Sequence, residues 1–154
     1  MMGGTIVCGV TDSPDGRNAA DLAQALGARL DLRLVLVSVV DGVPPGTEDS
    51  LTARQRQRGA ERTLDSIAPN VGNGIEKRVM LGDRADALAQ VAAEDGADLI
   101  VVGARTAGLG NRKLRCTLAR ELEAATPVPV LVAPPTTRKR SAHRLSVAAE
   151  ASAP

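Results

Sequence analysis

The stretch Leu99–Thr117 (LIVVGARTAGLGNRKLRCT) holds the residue types and spacing that bear most directly on chemistry. An apolar run closes on Gly103. A small-residue loop with Gly108 and Gly110 follows, and an amphipathic segment begins at Leu114. Strand, glycine-rich turn and helix in that order make a candidate anion site, because backbone N–H groups and the macrodipole at a helix N-terminus favour negative charge. Arg105, Arg112 and Lys113 add positive charge beside it. A second segment, Thr11–Gly16 (TDSPDG), offers the Asp12 carboxylate, and a third, Val39–Pro44, offers backbone polar groups. Together these are the parts a nucleotide needs: hydroxyl recognition, base-edge hydrogen bonds and an anion cradle. A purely structural loop is the alternative that the residues alone leave open. The sequence offers far less for catalysis. The one histidine, His143, lies near the C-terminus, so no Ser–His–Asp or Cys–His pairing can be assembled in the body of the chain, and no His/Cys/carboxylate cluster has metal-ligand spacing. Asp12 and Asp15 are too close in sequence to face each other across a cleft as a hydrolase pair, and local helix capping accounts for at least one of them.

The elements that must position these loops follow from hydrophobic periodicity. Thr5–Val10 is predicted as a buried strand, with a turn over Thr11–Gly16 and a helix over Arg17–Leu30, whose Ala19, Leu22, Ala23, Leu26 and Leu30 share one face. Leu32–Val40 is a second strand, apolar enough to be covered on both sides. Asp41–Ser50 is a Pro/Gly-rich loop, and Leu51–Ile67 a helix with a polar, solvated character and arginines at 54, 56, 58 and 62. Strand Ile75–Met80, helix Arg84–Glu94 stopping at Gly96, strand Asp98–Val102, helix Leu114–Ala125 and strand Val128–Ala133 complete the chain. Strands alternating with helices specify an α/β fold: a five-stranded parallel sheet with helices on both faces and right-handed crossovers. In such a sheet ligands lie outside the carboxyl ends of the strands where strand order reverses, and the three loops converge there. Pro129 places the last strand at an edge. A short apolar edge invites pairing with a second copy, so a homodimer through Val128–Ala133 is expected.

Composition narrows the partners. The chain has 154 residues, 44% of them hydrophobic, a net charge of +1 and no Phe, Tyr or Trp. Near-neutrality removes the electrostatic case for nucleic acid or a membrane surface, and the missing aromatics exclude base-stacking platforms. A bound base could sit only between aliphatic side chains. Neither a signal peptide nor an apolar run of about 18 residues is seen, so a cytoplasmic location is expected. Cys8 and Cys116 read as reduced, partly buried thiols. The basic and then Ala/Ser-rich segment 136–154 reads as a disordered tail after a domain spanning 1–135.

The strand leading to Thr11-Asp12, the second strand ending Ser38-Val39-Val40-Asp41, the run Gly96-Ala97-Asp98-Leu99-Ile100-Val101-Val102-Gly103 and the closing Pro127-Val128-Pro129-Val130-Leu131-Val132 resemble the universal stress protein family from Thr5 to Ala133. The resemblance implies a Rossmann-like fold of the adenine-nucleotide alpha hydrolase kind, dimerisation, a stress-response role and, in one branch, binding of ATP with Mg and at most slow hydrolysis. In that branch Asp12 would contact the nucleoside and Val39 would offer backbone to the adenine. The phosphate pattern of glycine, two residues, glycine, nine residues, glycine and a hydroxyl residue maps its first landmark onto Gly103 and its last onto Thr117. The inner glycines are replaced by Thr106 and Cys116, each adding a Cβ where backbone should approach phosphate. Gly108 and Gly110 could restore flexibility in another register. Weaker nucleotide binding than in an intact loop is the expectation, with a ligand-free dimeric interaction module as the alternative.

Overall fold

The structure, a computed structural model, describes residues 3–68, 74–104 and 117–134. Its elements run β1 (Thr5–Gly9), α1 (Pro14–Leu30), β2 (Arg33–Val40), α2 (Leu51–Ile67), β3 (Ile75–Leu81), α3 (Arg84–Asp95), β4 (Leu99–Gly103), α4 (Thr117–Ala125) and β5 (Val130–Ala133). The five strands form one sheet in the order β3-β2-β1-β4-β5, every pairing parallel. This is the α/β architecture expected, and β5 lies at an edge.

Alternation along the central strands divides the core into two layers. Ile6, Cys8, Leu34, Leu36 and Val101 pack with Ala19, Ala20 and Ala23 of α1 and Leu64 of α2. Val7, Val35, Val37, Ile100 and Val102 face the other way, toward Leu88 and Val91 of α3 and Leu118 and Leu122 of α4. With no aromatic residue available, alanines on α1 bring that helix close to the sheet, and branched aliphatics fill both layers. Cys8 is fully buried, more so than expected, and burial pushes its thiol far above the ordinary range. A thiol held protonated in this way is inert. Cys116 lies outside the described residues.

Helix α1 starts at Pro14, three positions before the expected Arg17. Pro14 occupies the first turn, where its missing N–H is no loss, and the Ser13 hydroxyl accepts from the Gly16 N–H at 3.0 Å. Ser50 caps α2 and Asp83 caps α3 in the same way. Gly96 ends α3 at φ 60°, a left-handed stop that a side chain would strain. Strand β5 begins at Val130 rather than Val128. Pro129 precedes it and still contributes its carbonyl, which accepts from the Ile100 N–H at 2.9 Å.

The opposite edge, β3, carries charge. Arg78 donates through Nε to Glu76 at 2.6 Å and through Nη2 to Asp95 at 3.0 Å, and Arg33 also bonds Glu76. The Arg78 hydrogen bond, then that from Arg33, holds the Glu76 carboxyl below its usual value. A lowered carboxylate stabilises the fold above its unfolded pKa, and that stability is lost as pH falls through the folded one. Glu76 is partly exposed, so solvent screening keeps the pair itself to about 1 kcal/mol or less. The Asp95 side chain is only 9% exposed, and its Oδ2 has no partner. Arg78→Ala therefore removes the Asp95 carboxylate's nearest cation. It should destabilise the chain by about 1–3 kcal/mol near neutral pH, and the part that comes from Glu76 is lost as pH falls through its lowered pKa. Thermal melts from pH 3 to 7 measure both effects.

Candidate functional site

The strand order reverses between β1 and β4, and an apolar slot opens there at the carboxyl ends of the strands. Its floor is Gly9 and Val10 of the β1 end, Val37 and Val39 of β2, and Val102 of β4. Leu88 of α3 and Leu118 of α4 close over it, with Thr11 and Arg84 as its polar groups. The slot holds a cavity of about 20 Å³, close to the space of one water and far below the roughly 300–1,000 Å³ of a small-molecule pocket. Its aliphatic walls match a purine in character. Its width does not until Leu88 or Leu118 moves.

Of the residues singled out from sequence, Val39 lines the slot and is half-buried. Gly103 ends β4 beside the first turn of α1. A Cβ there would stand 2.8 Å from the Asp15 carbonyl oxygen, 3.0 Å from the Asp15 carbonyl carbon and 3.3 Å from the Gly16 nitrogen. Packing alone thus requires glycine at 103, whether or not a phosphate ever approaches. Thr117 is the first residue of α4. Gly108, with Arg105, Thr106, Gly110, Arg112, Lys113 and Cys116, lies outside the described residues.

Asp12 sits apart from the slot. Its side chain is 72% exposed and forms an ion pair at 2.6 Å with Arg17, which also donates to Ser66 at 2.8 Å. Neither Asp12 nor Asp15 caps α1. The Ser13 hydroxyl does so, and it also bonds the Thr11 hydroxyl at 2.7 Å, which corrects the expectation of a carboxylate cap. Asp15 is buried in the first turn, where the helix dipole favours its charge.

Thr11 was the more informative neighbour. Beyond the end of β1 at Gly9, both Val10 and Thr11 line the slot, and Asp12 does not. Arg84 was the other residue missed. The first residue of α3, it brings a guanidinium to the slot and pairs through Nε with Asp41 of the β2–α2 loop at 3.3 Å. The capped start of a helix after Gly82-Asp83 was readable, but only the parallel pairing of β2 with β3 brings that start beside Val39.

A five-stranded parallel sheet with helices on both faces and a narrow slot at its switch point defines a Rossmann-like class of α/β fold. Residues 2–134 match the profile of the Universal stress protein family, and the chain belongs to that family. It is similar to Universal stress protein Sll1654 of Synechocystis sp., at 29% identity over 133 residues, covering 84% of this chain and 85% of that protein. Among solved structures it is similar to a universal stress protein family member from Burkholderia pseudomallei, with TM-score 0.66, 29% identity and coverage of 84% of this chain and 95% of that one. A universal stress protein in complex with cAMP shares the fold at TM-score 0.59 and 24% identity, covering 85% and 96%. One from Archaeoglobus fulgidus in complex with dAMP does so at TM-score 0.59 and 19%, covering 87% and 100%. Among the described residues, no helix is long and apolar enough to cross a membrane.

Proposed function

We propose that the chain is a cytoplasmic stress-response regulator that takes an adenine nucleotide, ATP with Mg among the candidates, at the slot between β1, β2 and β4. The observation that carries this reading is the placement of an aliphatic slot, with one hydroxyl and one guanidinium at its rim, at the switch point of the sheet. Val39 would offer backbone to the base and Val10, Val37 and Val102 its apolar floor. Thr11 and Arg84 are the groups that reach ligand oxygens. The Asp12 carboxylate joins only if it leaves Arg17, an exchange made easy by the small worth of an exposed ion pair. Relatives holding cAMP and dAMP support the ligand class.

Titration calorimetry with Mg-ATP, AMP and cAMP tests it. Weak binding is expected, and Thr106→Gly combined with Cys116→Gly should tighten it, each 1.4 kcal/mol recovered being about tenfold. No heat with any of the three, and no nucleotide retained in native mass spectra, would sink the reading. The narrowness of the slot and the packing requirement for Gly103 favour the second reading, a family member that works through protein contacts without a ligand.

In either case we infer a homodimer through Val128–Ala133. Strand β5 is a sheet edge, short and wholly apolar, with Leu131 37% exposed. A lysine introduced at this edge opposes strand pairing. Val130→Lys is expected to halve the mass seen by light scattering, and an unchanged mass refutes the edge-strand interface.

A further inference from the structure

Helix α2 buries only Ala53, Ala60 and Leu64 against the sheet. Its outer face carries Leu51, Arg54, Arg58 and Arg62, all exposed, with Leu51 at 72%. The spacing of three, four and four residues is that of a helix-packing seam, rising about 6 Å for each four-residue step. Among the described residues, no carboxylate forms an ion pair with Arg54, Arg58 or Arg62. Glu61 and Asp65 lie within a turn of the seam, yet Asp65 pairs with Lys77 at 3.0 Å instead. Like charges four residues apart oppose helix formation, so this arrangement works against the stability of α2. Gly59 does the same. A glycine inside a helix is unfavourable, and a Cβ added at 59 would meet nothing within 4 Å, so no packing in the chain requires it.

We propose that this face of α2 docks an acidic amphipathic helix of a partner protein. The stripe supplies guanidiniums at the pitch of carboxylates placed every fourth residue on a facing helix. Leu51 supplies an apolar contact at one end, and Gly59 lets a second helix approach beside Arg62. Charge complementarity selects the partner's sign, and the seam spacing selects its shape. Nucleic acid fits less well. The chain's net charge is only +1, it has no aromatic residue for stacking, and Glu61 and Asp65 flank the stripe. A lipid surface would need the apolar face of α2, which is occupied by the sheet.

The test uses the full chain and a fluorescein-labelled, stapled peptide with Glu at every fourth position and one Leu, followed by anisotropy. Binding that weakens as salt rises is expected. Replacing Arg54, Arg58 and Arg62 together by Gln should weaken it about tenfold or more. Arg56→Gln is the internal control. It removes one charge from the same helix, as Arg58→Gln does, but Arg56 lies off the seam and donates to the Asp41 carbonyl at 3.2 Å, so affinity should hold. Gly59→Gln should raise the melting temperature while lowering affinity, which separates blocked docking from unfolding. Failure of the peptide to bind overturns the proposal. So does equal weakening by Arg56→Gln and Arg58→Gln, which would reduce the effect to net charge. An RNA oligonucleotide binding more tightly than the peptide, or self-association abolished by Arg58→Gln, would give the face to a different occupant. None of these outcomes depends on a nucleotide being bound.

Discussion

Gly103→Ala is expected to destabilise the ligand-free protein by about 1–3 kcal/mol, read as a fall of about 2–4 °C in melting temperature for each kcal/mol. The new methyl would enter the space between the end of β4 and the first turn of α1, 2.8 Å from the Asp15 carbonyl oxygen. The obstructing atoms are backbone, so no rotamer change relieves the contact. Either the end of β4 or the start of α1 must move, and α1 is anchored there by the Ser13 cap and by an Asn18 side-chain bond to the Pro134 carbonyl at 2.9 Å. A glycine present solely to admit phosphate gives the opposite outcome: an unchanged melting temperature and a loss confined to ligand affinity. Melting the variant with and without AMP separates the two roles.

Leu88→Ala carries the other large effect. Leu88 is 2% exposed, packs in the α3–α4 layer and approaches the position a Cβ on Gly9 would take to 3.1 Å. Truncation should lower stability by about 2–5 kcal/mol, the range for a buried leucine whose cavity does not collapse. It also removes the side chain that narrows the slot. If adenine enters between Val10, Val37 and Val102, millimolar AMP should raise the melting temperature of Leu88→Ala by more than it raises that of the native chain, because stabilisation grows as RT ln(1 + [L]/Kd). Equal or absent ligand shifts in the two proteins would count against the slot as the base site.

Most of the fold was readable before any coordinates. The strands carry near-continuous apolar runs and the helices a clear face, so their order and the parallel sheet follow from periodicity. The shifted boundaries have local causes: Pro14 with the Ser13 cap begins α1 early, and Pro129 delays β5. The site was read less completely. Val39 and Gly103 lie at the carboxyl ends of their strands, whereas Asp12, singled out as the carboxylate of the first loop and by the resemblance, lies outside the slot that its neighbour Thr11 lines. Which residues of the turn after β1 line the slot depends on how that turn leaves the sheet, which residue type alone does not show. Arg84 escaped notice for another reason. Its role depends on β3 lying next to β2, a pairing between segments about forty residues apart that local pattern cannot reveal.

The two margins of the sheet are unlike in a way that bears on how copies of the molecule can add up. Beyond β3 any newcomer meets Glu76, Lys77 and Arg78, already engaged with α3, β2 and α2. Beyond β5 it meets valine and leucine. A body with one adhesive margin closes into a pair and stops, whereas two such margins would let sheets join end to end without limit. The ion network on β3 thus does more than hold a strand in place. If copies pair through β5 as proposed, that network would hold the assembly at a pair, and neutralising Glu76 and Arg78 together is expected to let it grow.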